Sequence, residues 1–211
     1  MESLIFKLIS FICLIIAITL HEFFHALAAD HMGDPTPRSR GRLTLNPIAH
    51  ADPIGTIALP LINLMTGFPT IGWAKPVPID PFNFRHPKKD EIIVSLAGPT
   101  SNLLLATISS LIIRFLPLSE VFILFFYLLT FINISLFTFN LIPIPPLDGS
   151  HILLNLIPEK SRLQWEETFD RYGFVLIIVL VFFPIANGQS LVSLIISPII
   201  SFISHLLLPG F

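Results

Sequence analysis

A single cysteine, Cys13, in 211 residues excludes an intramolecular disulfide and any cysteine-based metal site such as a zinc finger. Charge is also scarce. Only 12% of residues are Asp, Glu, Lys or Arg, against about a quarter in a soluble globular domain. The 12 basic and 14 acidic side chains build no dense basic face, so no nucleic-acid partner is expected. What is abundant is apolar: 53% hydrophobic residues and a mean hydropathy of +0.81 describe a chain whose solvent is a lipid bilayer.

Charge-free windows divide the chain. Residues 92–113, 121–147 and 172–211 contain no Asp, Glu, Lys or Arg, and a spanning helix needs about 20 mostly apolar residues. Residues 3–29 form a further candidate. The spacing predicts helices over 3–29, 91–115 and 121–142, and a helical hairpin over 172–208, broken near Pro184, Asn187 and Gly188. A fifth window, 53–74, is uncharged but punctuated by Pro53, Gly55, Pro60, Gly67, Pro69 and Gly72. Irregular backbone at membrane depth survives only inside protein or along a cavity, so 53–74 is expected to be a re-entrant or loop element. The polar stretches between windows are too short for a second soluble domain. The expectation is one all-α polytopic membrane unit over 1–211.

Lys7, the apolar run and Ala26-Leu27-Ala28 imitate a signal peptide with its cleavage site. A signal core has no use for what stands just before it: His21-Glu22-Phe23-Phe24-His25. In a helix the two histidines of this H-E-x-x-H run lie about 40° apart and one turn from each other, so both imidazoles reach one ion. Glu22 flanks that face. It is badly placed as a ligand but well placed to take a proton from an activated water. Three such groups without partners in hydrocarbon would cost on the order of several kcal/mol, which makes a chance match a poor account of them.

A catalytic zinc usually takes three protein ligands, and Asp148 is the best third candidate. Pro143, Pro145 and Pro146 forbid a regular helix there and expose Leu147-Asp148-Gly149 to the site. The competing reading has Asp148 cap a helix starting at Gly149 or Ser150. Asn102, inside 92–113, either donates to a substrate carbonyl or oxyanion or joins helices. His50 and Asp52 line the site, orient a histidine or cap a turn, with a turn or lining role favoured over ligation. His151 follows Asp148 by one turn and is kept out of the ligand set. His31, His86 and His205 have no recommending spacing.

These residues resemble the site-2 protease family of intramembrane zinc metallopeptidases, in which H-E-x-x-H on one helix and L-D-G near a later one build the metal site. Beyond HEFFH and PPLDG, the stretches GRLTLNPIAHADPIGTIALP at 41–60, GWAKPVPID at 72–80, AGPTSN at 97–102 and FNLIPIPPLDG at 139–149 look like its small prokaryotic branch without PDZ or CBS domains. The resemblance implies that His21, His25 and Asp148 bind one Zn2+, that Glu22 activates water, and that Asn102 and Asn140 line the site. The implied activity is hydrolysis of a membrane protein or membrane-associated peptide. The alternative is an inactive membrane scaffold or chaperone with a structural metal, against which the intact Glu22 argues, since a structural site needs no base. A transporter would need polar residues continued across the bilayer.

Orientation follows from counting. For His25 and Asp148 to meet, the C-terminal ends of the first and third helices share a side, and 53–74 cannot cross once. All Lys and Arg except Lys7 and Arg114 then lie on that side, ten of 12. The positive-inside bias places the site toward the cytoplasm of a plasma membrane, with the N-terminus outside.

Overall fold

The computed structural model describes residues 4–59, 62, 73–183 and 189–208. Among these the chain is helical with no β-strand, and three helices are long and apolar enough to cross a membrane. They are α1, Leu4–Met32; α4, Pro87–Phe115; and α5, Glu120–Asn140. At 1.5 Å per residue the 29 residues of α1 extend about 43 Å, beyond a hydrocarbon core of about 30 Å. Two single-turn helices, α2 (Thr36–Ser39) and α3 (Pro47–His50), follow α1. The later helices are α6 (Asp148–Leu156), α7 (Glu159–Phe182) and α8 (Leu191–Leu207).

Proline places several of these starts. Pro47 and Pro87 stand in the first turns of α3 and α4, where a missing N–H costs nothing. Pro143, Pro145 and Pro146 separate α5 from α6, as their lost donors and fixed φ require.

The helix of α7 begins at Glu159, well ahead of the hairpin expected at 172–208, and α8 follows after a break whose residues 184–188 lie outside the described ones. Charge hid the first half of α7: a charge-free window measures immersion in lipid, and a helix that starts in water fails that test. Of the window 53–74, residues 53–58 form a single π-helical stretch capped by Asp52, and most of the rest lies outside the described residues.

Helices α1, α4 and α5 pack as a trio. One core, around Cys13, Leu128 and Leu129 with Phe6, Ile9 and Leu105, joins them away from the polar end. A second core, Ile142, Leu147, Ile177 and Val192, presses α7 and α8 against the loop that carries Asp148. Apolar burial thereby fixes that irregular loop from behind.

Candidate metal centre

The centre assembles where the last turns of α1 meet the first turns of α4 and the start of α6. His21 and His25, one turn apart, are buried, with ring centroids 4.6 Å apart. Each ring is held from its far side. His21 Nδ1 donates to Asn102 Oδ1 at 2.6 Å, and His25 Nδ1 donates to the Val94 carbonyl at 2.7 Å. Both acceptors belong to α4. The Asn102 amide is itself oriented, because its Nδ2 donates to Asn133 Oδ1 at 2.8 Å and to the Ala17 carbonyl at 3.3 Å. With the protons on Nδ1, both Nε2 atoms carry lone pairs toward the centre.

Those two Nε2 atoms lie 3.0 Å apart. Asp148 closes a triangle: Oδ2 is 3.2 Å from His21 Nε2 and Oδ1 is 3.3 Å from His25 Nε2. Three acceptors facing one another repel unless a cation lies among them. Ligands about 2.0 Å from a tetrahedral zinc stand about 3.3 Å from each other, and the observed triangle has that size. Among the described residues Asp148 Oδ2 is buried with no hydrogen-bond partner, the state expected of an atom that ligates a metal. His21, His25 and Asp148 are the group among the described residues that can hold a metal ion. Asp148 is the first residue of α6, and the N-cap position belongs to Leu147, so Asp148 does not stand where a capping residue would.

Glu22, 9% exposed, is not in the triangle. Its Oε2 accepts the Val77 N–H at 3.1 Å, leaving the rest of the carboxylate for a proton. Glu22 and the triangle face a cavity of about 740 Å³, within the range of small-ligand sites. Trp73, Pro76 and Val77 line it together with apolar side chains, Phe174, Ile177 and Val181 of α7 and Phe139 of α5.

The remaining candidates separate. Asn140 lines the cavity and donates back to the Leu136 carbonyl at 3.0 Å. Asn102 does not line it: fully buried, with both its oxygen and its nitrogen engaged, it orients His21 and ties α4 to α1 and α5, so it has no N–H to offer a substrate oxyanion. His50 neither lines the cavity nor touches the triangle. It ends α3 and donates from Nε2 to the Thr44 carbonyl at 2.8 Å. Asp52 caps the next turn through Ile54 and Gly55.

His151 does line the cavity, and donates from Nδ1 to Glu91 Oε1 at 3.1 Å, with Arg162 of α7 3.9 Å from the other oxygen of Glu91. Sequence reasoning missed Glu91, Asn133 and Val77. An i+3 relation between Asp148 and His151 was the only signal for the first, and the other two act through contacts between distant segments.

The helices and the triangle define a membrane protein with a two-histidine, one-carboxylate centre fit for a catalytic metal. Comparison with known proteins narrows that class. The model of Peptidase family M50 matches residues 117–183, a span that includes Asp148. A protein of Bacillus subtilis (strain 168) named "Putative zinc metalloprotease YwhC" is 39% identical over 185 residues, covering 83% of this chain and 81% of the relative. Two proteins named "Putative zinc metalloprotease Rip2" are similar over 82% of this chain and 66% of their own length: one of Mycolicibacterium smegmatis (strain ATCC 700084 / mc(2)155), 34% identical, and one of Mycobacterium tuberculosis (strain ATCC 25618 / H37Rv), 32% identical. No solved structure gives a significant match. The chain belongs to peptidase family M50, the site-2 proteases.

Proposed function

We propose that this chain is an intramembrane zinc endopeptidase of the plasma membrane, a single membrane-embedded unit that hydrolyses peptide bonds of transmembrane or membrane-associated substrates. The observation that supports it best is the triangle of 3.0 to 3.3 Å with Glu22 beside it in a cavity walled by apolar side chains.

His21, His25 and Asp148 hold one Zn2+. When bound, zinc polarises a peptide carbonyl and acidifies water. Glu22 takes the proton of the attacking water and passes it to the departing nitrogen, which balances the hydrolysis without a covalent bond to the protein. The apolar side chains of α7 and α5 receive a peptide segment drawn from the bilayer. That segment enters extended, because a helical peptide bond is hydrogen-bonded and shielded.

Thr56 Oγ1 donates to the Trp73 carbonyl at 2.8 Å, so the two ends of the window 53–74 lie side by side, which favours a re-entrant element over a crossing. The centre then opens to the cytoplasm, with ten of the 12 Lys and Arg residues on its side and the N-terminus outside.

Glu22→Gln tests the reading. The amide is nearly isosteric, so zinc stoichiometry of the purified protein stays at the wild-type level while peptide hydrolysis falls by about a hundredfold or more. Full activity of this variant would refute the assignment.

A further inference from the structure

Two stretches that the metal triangle does not use, 42–56 and 73–77, are bonded to each other, and the second also to Glu22. Arg42 is 5% exposed. Its Nη2 donates to the Lys75 carbonyl and, at 3.4 Å, to His50 Nδ1, while its Nε is buried without a partner among the described residues. No carboxylate among the described residues forms an ion pair with it. A guanidinium placed so is expensive to bury. His50 has the matching tautomer, since donation from Nε2 to the Thr44 carbonyl leaves Nδ1 as acceptor. Asn46 caps α3 by accepting from the Ile48 amide at 3.1 Å, which fixes where His50 stands.

The run opposite is extended and bonded at alternate residues. The Trp73 carbonyl accepts from Thr56. Lys75 donates its N–H to the His50 carbonyl at 3.0 Å and offers its own carbonyl to Arg42. Val77 donates to Glu22. Residues 73, 75 and 77 therefore present one edge to the body of the protein, as a strand would. Pro76 and Pro78 have no N–H, so Val77 is the one amide donor of 76–78.

The geometry points to Arg42 and His50 as positioning residues for Glu22, acting through the backbone of Lys75 and Val77. They clamp Lys75 from both of its peptide groups. Two residues on, the Val77 amide then stands where it holds one carboxylate oxygen and leaves the other for the proton. The inference rests on Glu22 as general base, and it gives the buried arginine a role that neither zinc binding nor substrate contact supplies.

The test uses the full-length, zinc-loaded protein in detergent. Arg42→Ala should speed amide hydrogen exchange at Lys75 and Val77 by about tenfold, the loss of one hydrogen bond. It should lower kcat by about a hundredfold, as small misplacements do, with KM and zinc stoichiometry unchanged. Glu22→Ala should speed exchange at Val77 but not at Lys75, because the chain of support runs one way. In a Glu22→Asp background, whose shorter side chain cannot reach Val77, Arg42→Ala should add little further loss.

If Arg42→Ala does not fold, Val77→Pro decides: it removes the N–H that Glu22 accepts and should lower kcat with zinc stoichiometry unchanged, whereas Val77→Ala, which keeps the N–H, should retain kcat. Unaltered exchange at Val77 together with full kcat in Arg42→Ala, or full kcat in Val77→Pro, would overturn the proposal. Should Glu22→Gln retain full peptidase activity, the base assignment fails. An inactive Glu22→Gln beside an unaffected Arg42→Ala removes the positioning role alone.

Discussion

Gly98 lies so close to His25 that a Cβ built on it would fall 2.2 Å from His25 Nε2, and 2.7 Å from His21 Nε2. Only a residue without a side chain lets α4 approach the ligand atoms this way. Gly98→Ala adds helix propensity of about 1 kcal/mol and places a methyl group where the imidazoles must turn. The expected result is a protein that stays folded, by thermal melting in detergent, yet loses zinc. Wild-type zinc affinity in Gly98→Ala would show that the imidazoles have another way to face the ion.

Asn102 acts on the centre from one bond away. Asn102→Ala takes the acceptor from His21 Nδ1 and should weaken zinc binding by about ten- to a hundredfold, as loss of an outer partner of a ligand does. His50→Ala should leave zinc affinity unaltered, since His50 touches no ligand. Chelator competition measures both, and equal losses in the two variants would contradict the separation of roles seen in the structure.

Outside the membrane, Asp34 gives a pH dependence. Burial pushes its carboxyl up, but hydrogen bonds from Thr36, the Asp80 amide and Asn83 outweigh this and hold it below its ordinary 3.8. A carboxylate lowered on folding contributes stability that is fully present above 3.8 and fades as pH falls through the depressed value. Asp34→Asn should melt lower than the wild type at neutral pH, and the gap should narrow only in that acid window. A gap that is constant down to the acid limit would mean the charge contributes nothing.

Orientation is checked by labelling in a Cys13→Ala background. Single cysteines at Ser39, His86 and Ser161 should resist an impermeant thiol reagent in intact cells, whereas one at Leu118 should react. Labelling at residue 86 from outside would reverse the positive-inside argument and require 53–74 to cross.

The parts of this molecule legible in the sequence are those written in local spacing. His21 and His25 are one helical turn apart, and that alone brings their rings together. Asp148 was readable because three prolines announce irregular backbone at membrane depth. Asn102 stands out as a polar group in an apolar run, but its partner is not readable, since the register of α4 against α1 decides whether its oxygen meets a histidine or a substrate. His50 is legible as part of a turn, but its bonding is not. Its task depends on Arg42 and Lys75, which adjoin it only after the chain folds back. Val77 carries no signal of any kind, because its contribution is a backbone N–H.

The two prolines beside Val77 make the length of this run matter more than its composition. Leucine or isoleucine at 77 would present the same amide to Glu22. Insertion or deletion of one residue between Lys75 and Val77, with the clamp at Lys75 held, would instead bring a proline nitrogen or a displaced amide opposite the carboxylate, and a proline nitrogen has nothing to donate. Relatives that work the same way are therefore held less to valine among the aliphatic side chains at this point than to the count of residues separating it from the clamp.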